Sequence, residues 1–134
     1  MEGSKTGFLK LVLFFGTFRD ILFGFFFLIF LDQMAVLLML PAPLNYPIFS
    51  HVMGILYIFI GIFQLIAILN IERFIIIPFL VSLERVLFIM VGIYNIFLMP
   101  YAAIQIIAFI SIDMILVLFT LTAIKLSRLS LRVQ

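Results

Sequence analysis

The sequence predicts an all-α integral membrane protein, an antiparallel bundle of four transmembrane helices with its N-terminus and C-terminus in the cytoplasm. Three observations carry that expectation. Of 134 residues, 67% are hydrophobic and only 10% charged, and the mean hydropathy is +1.45. Apolar tracts of membrane-crossing length recur along the chain, separated by prolines and short charged stretches. The basic residues fall beside alternate ends of those tracts. A water-soluble protein of this size buries only about two thirds of its surface, and the remainder would be a sheet of Phe, Ile and Leu. Lipid removes that difficulty.

The first apolar tract runs from Leu11 to Leu40 and is interrupted by Arg19-Asp20 and Asp32-Gln33. Thirty helical residues would rise about 45 Å against a hydrocarbon core of about 30 Å. The division that fits places Arg19-Asp20 at the inner interface and a span at 21–40. Residues 6–18 are then an interfacial segment or a cytoplasmic extension, and one strongly tilted helix is the competing description. The tract ends at Leu40-Pro41 without a small-residue cleavage pattern, so it reads as a retained helix and not as a signal peptide.

Three prolines in residues 41–47 form a turn, since proline is disfavoured inside helices. The second span is expected at 50–70, with Ser50 as N-cap. Glu72-Arg73 marks the next boundary, and Pro78 suits the first turn of a third span at 78–98. Pro100 separates it from a fourth at 101–124, through a connection short enough to make the two helices antiparallel neighbours. Lys5, Lys10 and Arg19 flank span one, Arg73 lies between spans two and three, and Lys125, Arg128 and Arg132 follow span four. Residues 41–50 and 99–101 contain no Lys or Arg. Only four spans put every basic flank on one side, which favours a multi-pass protein of a cell membrane, a prokaryotic inner membrane or its equivalent. The basic tail can meet anionic headgroups.

The polar residues within the spans are the candidate site. His51, Gly54, Tyr57, Gly61 and Gln64 share a sector of about 140° on span two, and the glycines permit close approach of a neighbouring helix. Glu84 and Asn95 are nearly aligned on span three, with Arg85 and Gly92 on the adjacent face. Gln105, Asp113 and Thr120 lie within about 80° on span four, and span one adds Asp32 and Gln33. Asp113 should sit near mid-membrane, Asp32 in the outer half, Gln64 and Glu84 in the inner half, and His51 near the outer surface. A charge at such depth costs about 3 kcal/mol, so these groups should face the interior, be paired or be protonated. Asp32, His51, Gln64, Glu84, Arg85, Asn95, Gln105 and Asp113 could therefore line a polar pocket or relay. The structural alternative has Glu84 and Arg85 neutralising Arg19 and Asp20, with the amides bonded across helices.

Several classes are excluded. The net charge of +2 is not gathered into a stripe with exposed aromatics, so nucleic acid is not an expected partner. Without cysteine there is no disulfide or thiolate chemistry. One histidine cannot supply a bis-histidine haem site. No zinc motif, P-loop, dinucleotide fingerprint or GxSxG occurs, so no cofactor or metal site is evident.

Arg19-Asp-Ile-Leu-Phe-Gly24, a proline-bearing turn, His51-Val-Met-Gly54, and Glu84-Arg85 followed by Gly92 together resemble the small DoxX-like four-helix membrane proteins. The resemblance covers nearly the whole chain. It implies four helices and a link, in some members, to quinone-coupled redox systems, which makes quinone the one cofactor it brings to mind. It carries no established catalytic residue. Glu84-Arg85 and Asn95 also resemble the polar helix signature of the membrane-associated eicosanoid and glutathione metabolism family, although the basic cluster expected to grip glutathione is missing here. Three functions follow as expectations. The first is binding of an apolar ligand or partner, or an accessory role in a homo-oligomer or larger membrane complex. The second is an enzyme acting on a lipid-soluble substrate through Asp113 or Glu84, with His51 secondary. The third is a proton or ion transporter running from Asp32 past Asp113.

Overall fold

The computed structural model describes residues 3–30, 33, 36, 47–98 and 100–127. Among them, four helices are long and apolar enough to cross a membrane: α1 (Gly3–Ile29), α2 (Pro47–Leu69), α3 (Ile76–Leu98) and α4 (Ala103–Ser127). Large apolar side chains point outward all around the bundle, among them Leu69, Phe97 and Ile104, each about four fifths exposed at 83%, 79% and 81%. Such a surface is at home against lipid tails and would associate in water.

The first helix differs from its expectation. Residues 6–18, which the sequence leaves as an interfacial segment, a cytoplasmic extension or a part of one tilted helix, form the first half of one unbroken helix, and that helix ends at Ile29 instead of continuing to Leu40. Its apolar window is Thr6–Ile29, which puts Arg19 and Asp20 close to the middle of the helix. Hydropathy places a charged pair at a boundary because it assigns each residue a cost without regard to its partners. Asp32 and the proline turn of residues 41–46 lie outside the described residues.

The other helices begin and end for legible reasons. Helix α2 starts at Pro47, where a fixed φ suits the first helical position. Ser50 therefore lies inside the helix and is not its cap. At the far end, Asn70 Oδ1 accepts a hydrogen bond from the Arg73 N–H at 3.2 Å, and the Phe74 N–H bonds Asn70 O at 3.1 Å. This closes the turn of residues 70–75. Pro78 is the third residue of α3, in the first turn, where an N–H has no helical partner to lose. Pro100 opens a short 3-10 turn, Pro100–Ala102, that leads directly into α4.

Helices α1 and α2 approach most closely because glycines face each other. A methyl group on Gly24 would stand 2.7 Å from the backbone oxygen of Gly54, and one on Gly54 would stand 2.8 Å from that of Gly24. Two turns along, Gly61 lies against Ile21 and the carbonyl of Thr17. Between lipid-immersed helices the driving force is close packing, so a seam of small residues contributes directly. At one end of the bundle, Leu9, Val12 and Leu13 of α1 pack with Ala67, Ile71, Ile75, Ala123 and Ile124 into an apolar core.

Helices α3 and α4 meet around Gly92, where a methyl group would collide with Ile110 Cγ2. The obstacle is a side chain. Ile110 can turn away only into a poorer χ1 well, because β-branching leaves one favoured rotamer in a helix. Gly92→Ala is therefore expected to destabilise the bundle by about 1 kcal/mol, read as a lowered unfolding midpoint in mixed micelles.

Candidate functional site

Near the middle of the bundle each of the four helices contributes at least one polar side chain to a single cluster. Helix α1 supplies Arg19 and Asp20, α2 Gln64, α3 Arg85 and α4 Asp113. The two arginines and two aspartates lie within about three residues of the centres of their apolar windows, about 4.5 Å of rise. Gln64 sits nearer the end of its helix.

Asp20 is the hub. Its Oδ1 accepts a hydrogen bond from Arg19 Nη1 at 2.7 Å, and its Oδ2 accepts one from Arg85 Nη2 at 2.7 Å and one from Gln64 Nε2 at 2.6 Å. The other end of the Arg19 guanidinium, Nη2, lies 2.7 Å from Asp113 Oδ1. That contact is an ion pair that ties α1 to α4. The side chains of Asp20, Asp113 and Arg85 are 1%, 1% and 3% exposed, so water and lipid are kept out. Two guanidiniums and two carboxylates cancel in formal charge.

Local sequence makes room for this arrangement. A methyl group on Gly16, one turn before Asp20, would stand 2.5 Å from Gln64 Oε1 and 3.1 Å from Arg85 Nη2. The glycine is thus the floor on which the amide and the guanidinium lie. On the other side, the Arg19 guanidinium carbon is 5.2 Å from the centre of the Phe23 ring and 5.6 Å from that of Tyr57, within reach of cation–π attraction. Phe27 stacks on Tyr57 at 6.0 Å, and Phe109 and Phe88 extend the same aromatic layer. From one end to the other, the interior is an apolar core, a neutral charged layer and an aromatic layer.

Of the sequence candidates, Gln64, Arg85 and Asp113 meet in this cluster. Arg85 pairs with Asp20, one of the partners the structural alternative assigned to it. Arg19 pairs with the two aspartates and not with Glu84. His51 is exposed on α2. Asn95 donates to Val91 O of its own helix at 2.9 Å, and Gln105 Oε1 is buried without a hydrogen-bond partner among the described residues. Asp32 lies outside the described residues. The sequence reading underweighted Arg19 and Asp20. The available signal was their position inside an apolar tract that begins well before them, together with Gly16 one turn away.

Glu84 faces a different environment from its neighbour Arg85. It is half-buried and makes no hydrogen bond or ion pair among the described residues. Its side chain lines a half-open groove of about 450 Å³ between α2 and α3. Ile60 and Phe63 form one wall, Ile77, Leu80 and Val81 the other, and Phe74 of the turn closes the end. The volume falls within the usual range of small-molecule sites. No three His, Asp or Glu side chains among the described residues converge as metal ligands would.

Four membrane-length helices tied through one neutral charged cluster point to a multi-pass helical membrane protein. Compared with known protein families, with characterised proteins and with solved structures, the chain gives no match.

Proposed function

We propose that this chain is a non-catalytic membrane protein that takes an apolar small molecule from the lipid phase into the groove between α2 and α3. The observation that carries this reading is the groove itself, lined by hydrocarbon side chains of both helices and the turn between them, with Glu84 the one polar exception. The charged cluster is the pin that holds the helices in register, since its two arginines and two aspartates balance in charge and both carboxylates lie in ion pairs, which leaves no pair of carboxylates free for acid–base work. The enzyme reading has less support for that reason: Glu84 is the one titratable group lining the groove, and general acid–base chemistry needs a second polar group within reach of the substrate.

The same reading includes an antiparallel bundle with both ends in the cytoplasm, set in a cell membrane. Supporting it, Gly24 meets Gly54 while Thr17 and Ile21 meet Gly61, so contacts move down α1 as they move up α2. The core that joins the first turns of α1 to the last turns of α2 and α4 belongs to the end that carries Lys10, Arg73 and Lys125. Arg19 leaves this topological count because it is buried among the helices. The DoxX-like resemblance remains part of the proposal and makes quinones a ligand class to test beside sterols and lipids. A homo-oligomer or a larger membrane complex is the assembly in which an accessory role would be exercised.

Thermal unfolding of the purified protein in lipid nanodiscs, with and without quinones, sterols and long-chain lipids, tests the reading. A ligand at a hundred times its Kd is expected to stabilise the fold by about 2.7 kcal/mol. Ile77→Trp, which fills the groove and leaves the charged cluster untouched, is expected to abolish that shift. Absence of stabilisation by every such compound would overturn the proposal.

A further inference from the structure

We infer that the ligand of the α2–α3 groove is a lipophilic ammonium ion, a protonated long-chain amine or a quaternary ammonium, whose nitrogen pairs with Glu84 while its apolar body lies along Phe63, Ile77 and Leu80. The inference rests on the groove being a ligand site and adds the chemistry that the site selects. Its starting point is an imbalance. In the buried cluster two arginines are matched by two aspartates, so the bundle's interior charge closes without Glu84. Among the described residues Glu84 is left as a carboxyl group with no ion pair, about three residues, some 4.5 Å of rise, from the centre of the Ile76–Leu98 window.

The surroundings offer nothing to solvate it. Every other side chain lining the groove is a hydrocarbon. A bare carboxylate there is unfavourable, and Arg85 and Arg19 attract it only through space, since neither makes an ion pair with it and Arg85 Nη2 donates to Asp20. A neutral ligand would leave that charge unmatched or require a proton to suppress it. An anionic amphiphile could place its head at the exposed Arg73 beside Phe74, but its tail would then lie against Glu84. An amphiphilic cation alone brings the missing charge and an apolar surface for the walls in the same molecule. Attraction between opposite charges is strengthened by the low dielectric of the groove.

The test uses the full chain in nanodiscs of neutral lipid, with empty nanodiscs to subtract partitioning. Tritiated dodecyltrimethylammonium is the cationic probe, dodecanol the neutral one and dodecanoate the anionic one, all well below micellar concentrations. The protein is expected to bind the cation at least tenfold more tightly than the alcohol or the acid. Glu84→Gln should reduce cation binding by tenfold or more and erase the preference for the cation over the alcohol. A measurement on the unmutated chain stands beside it: labelling of Glu84 by a hydrophobic carbodiimide, located by peptide mass spectrometry, should be slowed by the cation and not by the alcohol. Equal binding of all three probes, each lost in Ile77→Trp, would overturn the ammonium assignment and keep the groove as an apolar site. Preference for the acid would overturn it equally and move the recognising charge to Arg73. Binding of none of them above empty nanodiscs would remove the groove reading together with the inference.

Discussion

Replacing Asp20 with alanine is expected to destabilise the bundle by about 3–5 kcal/mol, the cost of leaving a buried cation without its counter-ion. Three donors lose the Asp20 carboxylate at once, Arg85 Nη2, Gln64 Nε2 and Arg19 Nη1, and Gln64 keeps only a long contact to Ile60 O at 3.5 Å. Arg19 retains Asp113. Arg85 retains no ion pair among the described residues, and at 3% side-chain exposure it has no water to replace the carboxylate. Asp20→Asn keeps the shape and one acceptor oxygen while removing the charge, so it should cost less than alanine. Unfolding in mixed micelles followed by circular dichroism would measure both. A double-mutant cycle of Asp20→Asn with Arg85→Met should return a favourable coupling between the two sites. Additive effects would mean that the short contact carries no net interaction.

The second large effect is expected at the α1–α2 seam. Gly54→Ala should cost about 1–3 kcal/mol, the usual range for forcing atoms into a packed interface. The added methyl would stand 2.8 Å from the backbone oxygen of Gly24 and 2.9 Å from Leu28 Cγ. A backbone oxygen cannot rotate away, so the helices must separate, and separation weakens the packing that holds them. Gly24→Ala poses the same problem from the other side, with Ile58 Cγ1 at 2.5 Å and Gly54 O at 2.7 Å. Once one alanine has pushed the helices apart, the second meets less resistance. The double variant should thus lose less than the sum of the two single losses. A simple sum would show that each methyl is accommodated locally. Separation of α1 from α2 is expected to loosen the Asp20–Gln64 contact as well, so Gly54→Ala should weaken the coupling between Asp20 and Arg85 measured by the same cycle.

Two kinds of buried charge distinguish this protein, and they call for different experiments. The Arg19, Asp20, Arg85 and Asp113 cluster is closed, neutral and shared by three helices, with Gln64 adding the fourth. Its removal should be read in stability. Glu84 makes no ion pair among the described residues and borders the groove, so its removal should be read in binding. The two sit on adjacent residues, Glu84 and Arg85, because consecutive positions on a helix point about 100° apart. From sequence the dipeptide looks like one charged feature.

Much of the fold was written in the chain itself. Four apolar segments, prolines at helix starts and the glycine face of α2 are properties of local sequence, because hydrophobicity, the missing proline N–H and the absence of a side chain act at the residue that carries them. Hydropathy found α2, α3 and α4 close to their observed bounds for that reason. The position of α1 was decided by tertiary structure. Arg19 and Asp20 look like a boundary when scored singly, and they become tolerable mid-helix only because α2, α3 and α4 deliver Gln64, Arg85 and Asp113 to the same point. That cost depends on partners 44 and 65 residues away along the chain, and no local pattern encodes such distances. The sequence alone thus determined a membrane-spanning helical protein with polar residues to place. Only the packed bundle decided which of them neutralise one another and which one, Glu84, is left facing a groove.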